Sequence, residues 1–100
     1  MNKYKKSLLV IIAEADLERL LVQDIERLGA SGYTITDVRG GGPGGKREGA
    51  WQADRTVRIE VICDEDLADE IGGHVLQTYG QNYGVTIYFS QVQVLRPQKF

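Results

Sequence analysis

A strand–helix–strand pattern occurs twice in this 100-residue chain, and its two copies stay in phase at an offset of 50 residues. Ile12 answers Ile62, Asp16 answers Asp66, Leu17 answers Leu67 and Tyr33 answers Tyr83, while Leu21 and Ile25 fall opposite Ile71 and Val75. What repeats is the register of strand, cap and helix, more than the residues themselves. The pattern matches a split βαβ plan in which two helices are layered on a shared sheet.

Residues 8–13 form a continuous apolar run with charged flanks, which predicts a strand buried on both faces. Asp16 is placed to cap the following helix, whose apolar positions Leu17, Leu20, Leu21, Ile25 and Leu28 recur at helical spacing. Gly29 and Gly32 end it. Residues 33–38 predict a second strand. In a third, Val57, Ile59, Val61 and Cys63 alternate with Arg58, Glu60 and Ile62. Asp64 is placed to cap a second helix, with Glu65 and Asp66 at the positive end of its dipole and Leu67, Ile71, Val75 and Tyr79 along one face. Residues 85–95 predict a long last strand, with Pro97 just beyond. The order βαββαβ is that of an α+β, ferredoxin-like sandwich. It fits one domain over residues 1–100, with a glycine-rich loop at about 40–55 between strands two and three.

Two helices cover one face of such a sheet and leave the other bare. Yet Leu8, Val10 and Ile12 alternate with Leu9, Ile11 and Ala13, making both faces of the first strand apolar. In the last strand Val85, Ile87 and Phe89 share one face, and Tyr88, Val92 and Val94 share the other. A bare apolar sheet face on this scale predicts a symmetric oligomer that buries it.

The formal net charge of −2 argues against nucleic-acid binding by bulk electrostatics. Cys63 is the one cysteine, so no intrachain disulfide forms and a reducing cytoplasm is the expected setting. The first apolar run is too short to span a membrane. Against this plain background the segment RGGGPGGKR, from Arg39 to Arg47, stands out. Long interior loops in small domains are usually functional or disordered. Bare glycine backbone beside Arg39, Lys46 and Arg47 suits a phosphate or carboxylate, and a solvated hinge is the alternative. The segment is expected to be disordered when free, with Trp51 its one large apolar anchor.

Residues for catalysis are scarce. His74 is the one histidine, which disfavours a zinc site, and it reads as a satisfied core or interface residue. The carboxylates at 65, 66, 69 and 70 read as helix capping and a solvated face. Glu60, mid-strand beside Arg58, reads as half of an ion pair. No catalytic residue and no metal site is expected.

Taken together, GYTITDVRGGG, the basic loop, RIEVICDEDLADEI and the closing YGQNYGVTIYFSQVQVL resemble the PII-like signalling proteins. The likeness is greatest to the divergent branch associated with bicarbonate transport and carboxysomes, and it runs over about residues 8–95. It implies a homotrimer whose loop at 40–55 is the T-loop, with adenine nucleotides in the clefts between subunits near the loop's base. By that likeness Arg39, Gly40, Gly41 and Gly42 would lie near ribose and phosphate, Lys46 or Arg47 would supply phosphate charge, and Arg58 would also belong to the nucleotide-binding residues. Tyr83, Gly84 and Val85 would border the cleft ahead of the last strand, and Arg96 would reach it from that strand's end. The family's glycine- and lysine-bearing phosphate loop is replaced here by YGQNYG, which favours ADP or AMP over a triphosphate. The T-loop has no tyrosine to be uridylylated. Bicarbonate is a further candidate ligand, and a bicarbonate transporter or carboxysome-associated protein a candidate partner. The implied role is sensing by T-loop rearrangement, not catalysis, with neither nucleic-acid binding nor membrane insertion. The competing readings are a dimeric-barrel enzyme or ligand-binding protein and an RNA-binding module. The first would call for paired histidines or carboxylates in a pocket, and the second for aromatics where the third strand has Arg58 and Glu60.

Overall fold

A computed structural model describes residues 1–42, 45–47 and 55–100, the side chains of residues 42 and 45–47 excepted. In chain order the elements begin with β1 (Tyr4–Glu14), a 3-10 turn (Ala15–Leu17), α1 (Glu18–Leu28) and β2 (Thr34–Val38). They continue with β3 (Gly40–Gly42), β4 (Gly45–Arg47), β5 (Thr56–Cys63), α2 (Glu65–Tyr79), β6 (Thr86–Val94) and a closing 3-10 turn (Pro97–Lys99). The main sheet is four-stranded, ordered β2–β5–β1–β6, and every described pairing in it is antiparallel. This is the ferredoxin-like arrangement expected from the repeat, with both helices on one face.

The register explains the core. Leu9, Ile11 and Ala13 of β1 lie beside Val57, Ile59 and Val61 of β5 and form one buried cluster with Leu21 and Ile25 of α1 and Ala68, Ile71 and Val75 of α2. Burying one such aliphatic side chain contributes roughly 1.5–3 kcal/mol, so this cluster dominates the fold's stability. On the other face Val10 is fully buried between its flanking strands, while Tyr88 beside it is 41% exposed. That face is not uniformly apolar, because Arg58 and Glu60 stand in its middle.

Several local expectations are corrected. The first strand runs from Tyr4 to Glu14, longer than its apolar run, because pairing with β5 and β6 carries it beyond the apolar residues. Asp16 does not cap α1; it lies inside the 3-10 turn, and neither that turn nor α1 has a side-chain cap. Asp64 does occupy the N-cap of α2, but its carboxylate makes no cap hydrogen bond. It accepts instead from Lys6 Nζ at 2.6 Å, a cation that β1 brings alongside. The glycine segment is not loop throughout: Gly40–Gly42 pairs antiparallel with Gly45–Arg47 as a separate two-stranded ribbon. The expected disorder of the remaining loop and the anchoring role of Trp51 fall outside the described residues.

Candidate functional site

Antiparallel pairing gathers four chain passages at one end of the sheet. There β1 finishes, β2 gives way to the glycine segment, and β5 and β6 begin, with Ile12 beside both Arg58 and Thr86. Strand alternation then points Ile12, Val38, Thr56, Arg58 and Thr86 to the face away from the helices. Together with Arg39, Gly40 and Gly41 they line a hollow of about 330 Å³, near the lower end of small-ligand pockets. A second hollow of about 340 Å³, lined by Asp37, Val38, Arg39, Arg55 and Thr56, adjoins it through the three shared residues.

Arg58 is a half-buried cation at this end, its side chain less exposed than that of Arg55. Its Nε lies 3.3 Å from Glu60 Oε1. That approach is not aligned as a hydrogen bond, and among the described residues the buried Nε has no acceptor. Nε itself is closed to solvent, so what Arg58 brings to the hollow it lines is positive charge rather than an open donor. Arg55, at the start of β5, donates from Nη2 to Asp37 Oδ1 at 3.1 Å. Its carbonyl accepts from the Ala15 N–H at 2.8 Å, which fixes the backbone beside the end of β1.

Of the residues singled out by sequence, Arg39, Gly40, Gly41 and Arg58 meet at the first hollow. Gly42, Lys46 and Arg47 belong to the adjoining ribbon, where Gly40 pairs with Arg47 and Gly41 with Lys46 along the backbone. Tyr83, Gly84 and Val85 precede β6 and so reach the same end of the sheet, but on its helix side. There the Tyr83 ring meets Tyr79 edge-on at 6.4 Å, and Val85 lines an apolar groove with Gly72 and Ile87. Arg96 follows Val94, which pairs with Tyr4 at the opposite end of the sheet, so one chain does not bring it to the hollow. Sequence reasoning missed Ile12, Val38, Thr56 and Thr86 as lining residues, and Asp37 and Arg55 as a pair. Their signal is strand register, which shows only once the partners of each strand are known.

Away from this end, Cys63 is buried, and its burial, with the Asp64 charge next, pushes its thiol up, opposite to what a reactive thiolate needs. His74 donates from Nε2 to Asp24 Oδ2 at 3.0 Å. Among the described residues, no group of three His, Cys, Asp or Glu side chains is placed to hold a metal ion. No described helix is long and apolar enough to cross a membrane.

A four-stranded ferredoxin-like sheet with a glycine-rich insertion at one end is the architecture of the PII-like proteins. The chain belongs to the nitrogen regulatory protein P-II family, whose model matches residues 6–99. It is similar to a PII-like signalling protein of Thermus thermophilus, at 38% identity and a TM-score of 0.86, with 100% of this chain and 99% of that one covered. CPII of Thiomonas intermedia, bound to ADP and bicarbonate, is similar at 27% identity and a TM-score of 0.88, with 99% and 97% covered. GlnK of B. subtilis in its ATP complex shares the fold at 18% identity and a TM-score of 0.60, with 88% and 82% covered.

Proposed function

We propose that this chain is a cytoplasmic sensor that binds ADP or AMP at the loop end of its sheet. Its glycine segment relays occupancy to a partner in inorganic-carbon metabolism. The observation that carries the reading is the meeting of Arg58 with Arg39, Gly40 and Gly41 around one hollow, cationic side chains beside bare backbone. Charge-assisted contacts from guanidinium to phosphate are the strong hydrogen bonds available to such a site. The similarity to CPII bound to ADP and bicarbonate supports adenine nucleotides as the ligand class and bicarbonate as a second ligand. A bicarbonate transporter or a carboxysome-associated protein is the kind of partner this role calls for. The work is binding, not catalysis.

The site is completed in a homotrimer. In support, the β6 edge carries Tyr88, Phe89 and, just beyond it, Leu95, which are 41%, 49% and 56% exposed in the single chain. A neighbouring copy also offers the route by which Arg96 joins a hollow that its own chain does not bring it to.

Titration calorimetry tests the reading. ADP or AMP binds and GTP does not, since guanine presents a carbonyl where adenine presents an amine. Arg58→Ala weakens ADP binding about tenfold, the equivalent of roughly 1.4 kcal/mol. Bound ADP slows tryptic cleavage after Lys46, Arg47 and Arg55. Equal heats from all nucleotides, or no binding at all, would defeat the proposal.

A further inference from the structure

The second hollow holds a cation that already has an anion. Arg55 and Asp37 stand on the same side of the sheet's end, one entering β5 and the other leaving β2, and their side chains are 43% and 72% exposed. The contact described is one-pronged, from Nη2 to Oδ1, whereas a guanidinium can offer a phosphate two parallel donors. An exposed ion pair of this kind is weak and easily exchanged. The Arg55 backbone, by contrast, is tied to Ala15 and followed by the buried Thr56, so the side chain can swing from a fixed pivot. Val38, Arg39 and Thr56 border this hollow and the neighbouring one alike, so a guanidinium released by Asp37 stays close to the neighbouring hollow.

We propose that Asp37 is an internal competitor for Arg55: in the empty site it holds the guanidinium, and a bound phosphate takes the guanidinium from it. Arg55 is then an anion-binding residue whose availability Asp37 sets. The affinity of the site is tuned down by a carboxylate that is itself no part of the ligand's contacts. The inference rests on the nucleotide reading of the adjoining hollow.

Calorimetric titration of ADP into the full-length wild type, Asp37→Asn, Arg55→Ala and the double variant tests it. Asp37→Asn tightens ADP binding about three- to tenfold, and Arg55→Ala weakens it by a similar factor. The double variant binds within twofold of Arg55→Ala alone, because the carboxylate matters only through the guanidinium it holds. If Asp37→Asn gains affinity equally in the Arg55→Ala background, Asp37 acts as a general negative charge and the inference fails. If Asp37→Asn leaves affinity within twofold of the wild type, it fails as well, and in both cases nucleotide binding itself stands. If the wild type binds neither ADP nor AMP, the nucleotide reading falls and the inference with it. Asp37→Ser, which also removes the charge at this exposed position, gives the same arithmetic if the asparagine variant does not fold.

Discussion

Asp24 does more for the packing of the two helices than its position on an amphipathic helix suggests. Its Oδ2 accepts from the Tyr79 hydroxyl at 2.6 Å and from His74 Nε2 at 3.0 Å, while Arg27 Nη2 lies 3.6 Å from Oδ1. Thr78 Oγ1 sits 3.5 Å from His74 Nδ1 and completes the chain of polar contacts. Burial pushes the Asp24 carboxyl upward, but the Tyr79 and His74 hydrogen bonds and the neighbouring positive charge outweigh it and hold the group below its ordinary 3.8. Burial first, and then the bond to Asp24, push the Tyr79 hydroxyl up to about 12 from 10.0. These opposite shifts enclose a pH window. Asp24's contribution is complete above pH 3.8 and is lost as acid titrates it through its lowered folded value. Tyr79's contribution is complete below pH 10.0 and disappears as the pH rises towards 12. Urea unfolding over a pH series should show both edges, and Tyr79→Phe should remove the alkaline one. At pH 7 that variant should be less stable by about 1.5–3 kcal/mol, the usual worth of a hydrogen bond to a charged group.

Two glycines decide how the helices fit their surroundings. Gly29 closes α1 at φ 116°, and its N–H and that of Ala30 return to carbonyls of the last turn. That left-handed conformation strains any residue with a Cβ, so Gly29→Ala should cost about 1 kcal/mol. Gly72 serves a different need. A Cβ there would come within 2.6 Å of the Phe89 ring, so the glycine lets α2 lie directly on β6. Because that ring is 49% exposed, it can turn aside, and Gly72→Ala should cost about 1 kcal/mol, the low end of overpacking. The turned ring would disturb the groove that Gly72, Leu76, Val85 and Phe89 share. Thermal unfolding of the two variants reads both costs. The near-ultraviolet dichroism of Phe89's surroundings should change in Gly72→Ala alone.

Assembly is where the whole molecule is decided. Among the described residues the sheet ends in two unpaired edges, β2 and β6, and its helix-free face mixes Leu8, Val10, Ile12 and Tyr88 with the Arg58–Glu60 pair. Against a trimer interface, the ion pair would set register where apolar contact alone would slide. Light scattering at low micromolar concentration should return a trimer. Tyr88→Glu, which puts a charge on that face but leaves the helix-side core untouched, should shift it to monomer while keeping the helical dichroism. If the proposed site is completed between subunits, ADP binding should fall with the trimer. A monomeric wild type that still binds ADP would place the whole site within one chain.

Periodicity carried much of this protein without help from space. The alternation of Val57, Ile59, Val61 and Cys63 and the helical spacing of Leu21 with Ile25 and of Ile71 with Val75 are local patterns, each repeated within a few residues. They determined the elements, the layer order and the core, because burying apolar faces admits few other arrangements. Arg39, Gly40, Gly41 and Arg58 were likewise legible as cations and bare backbone around one insertion. Tertiary structure alone decided which partners met. Asp16 and Asp64 carry the right side chain at a helix start, yet Asp16 is drawn into a 3-10 turn and Asp64 is captured by Lys6 from 58 positions away. The Asp37–Arg55 pair, the Asp24–His74–Tyr79 contacts and the lining roles of Ile12, Thr56 and Thr86 have the same origin. Strand register and helix packing bring together residues that no sequence window contains, and a hydrogen bond forms only where the final distance, not the residue type, allows it.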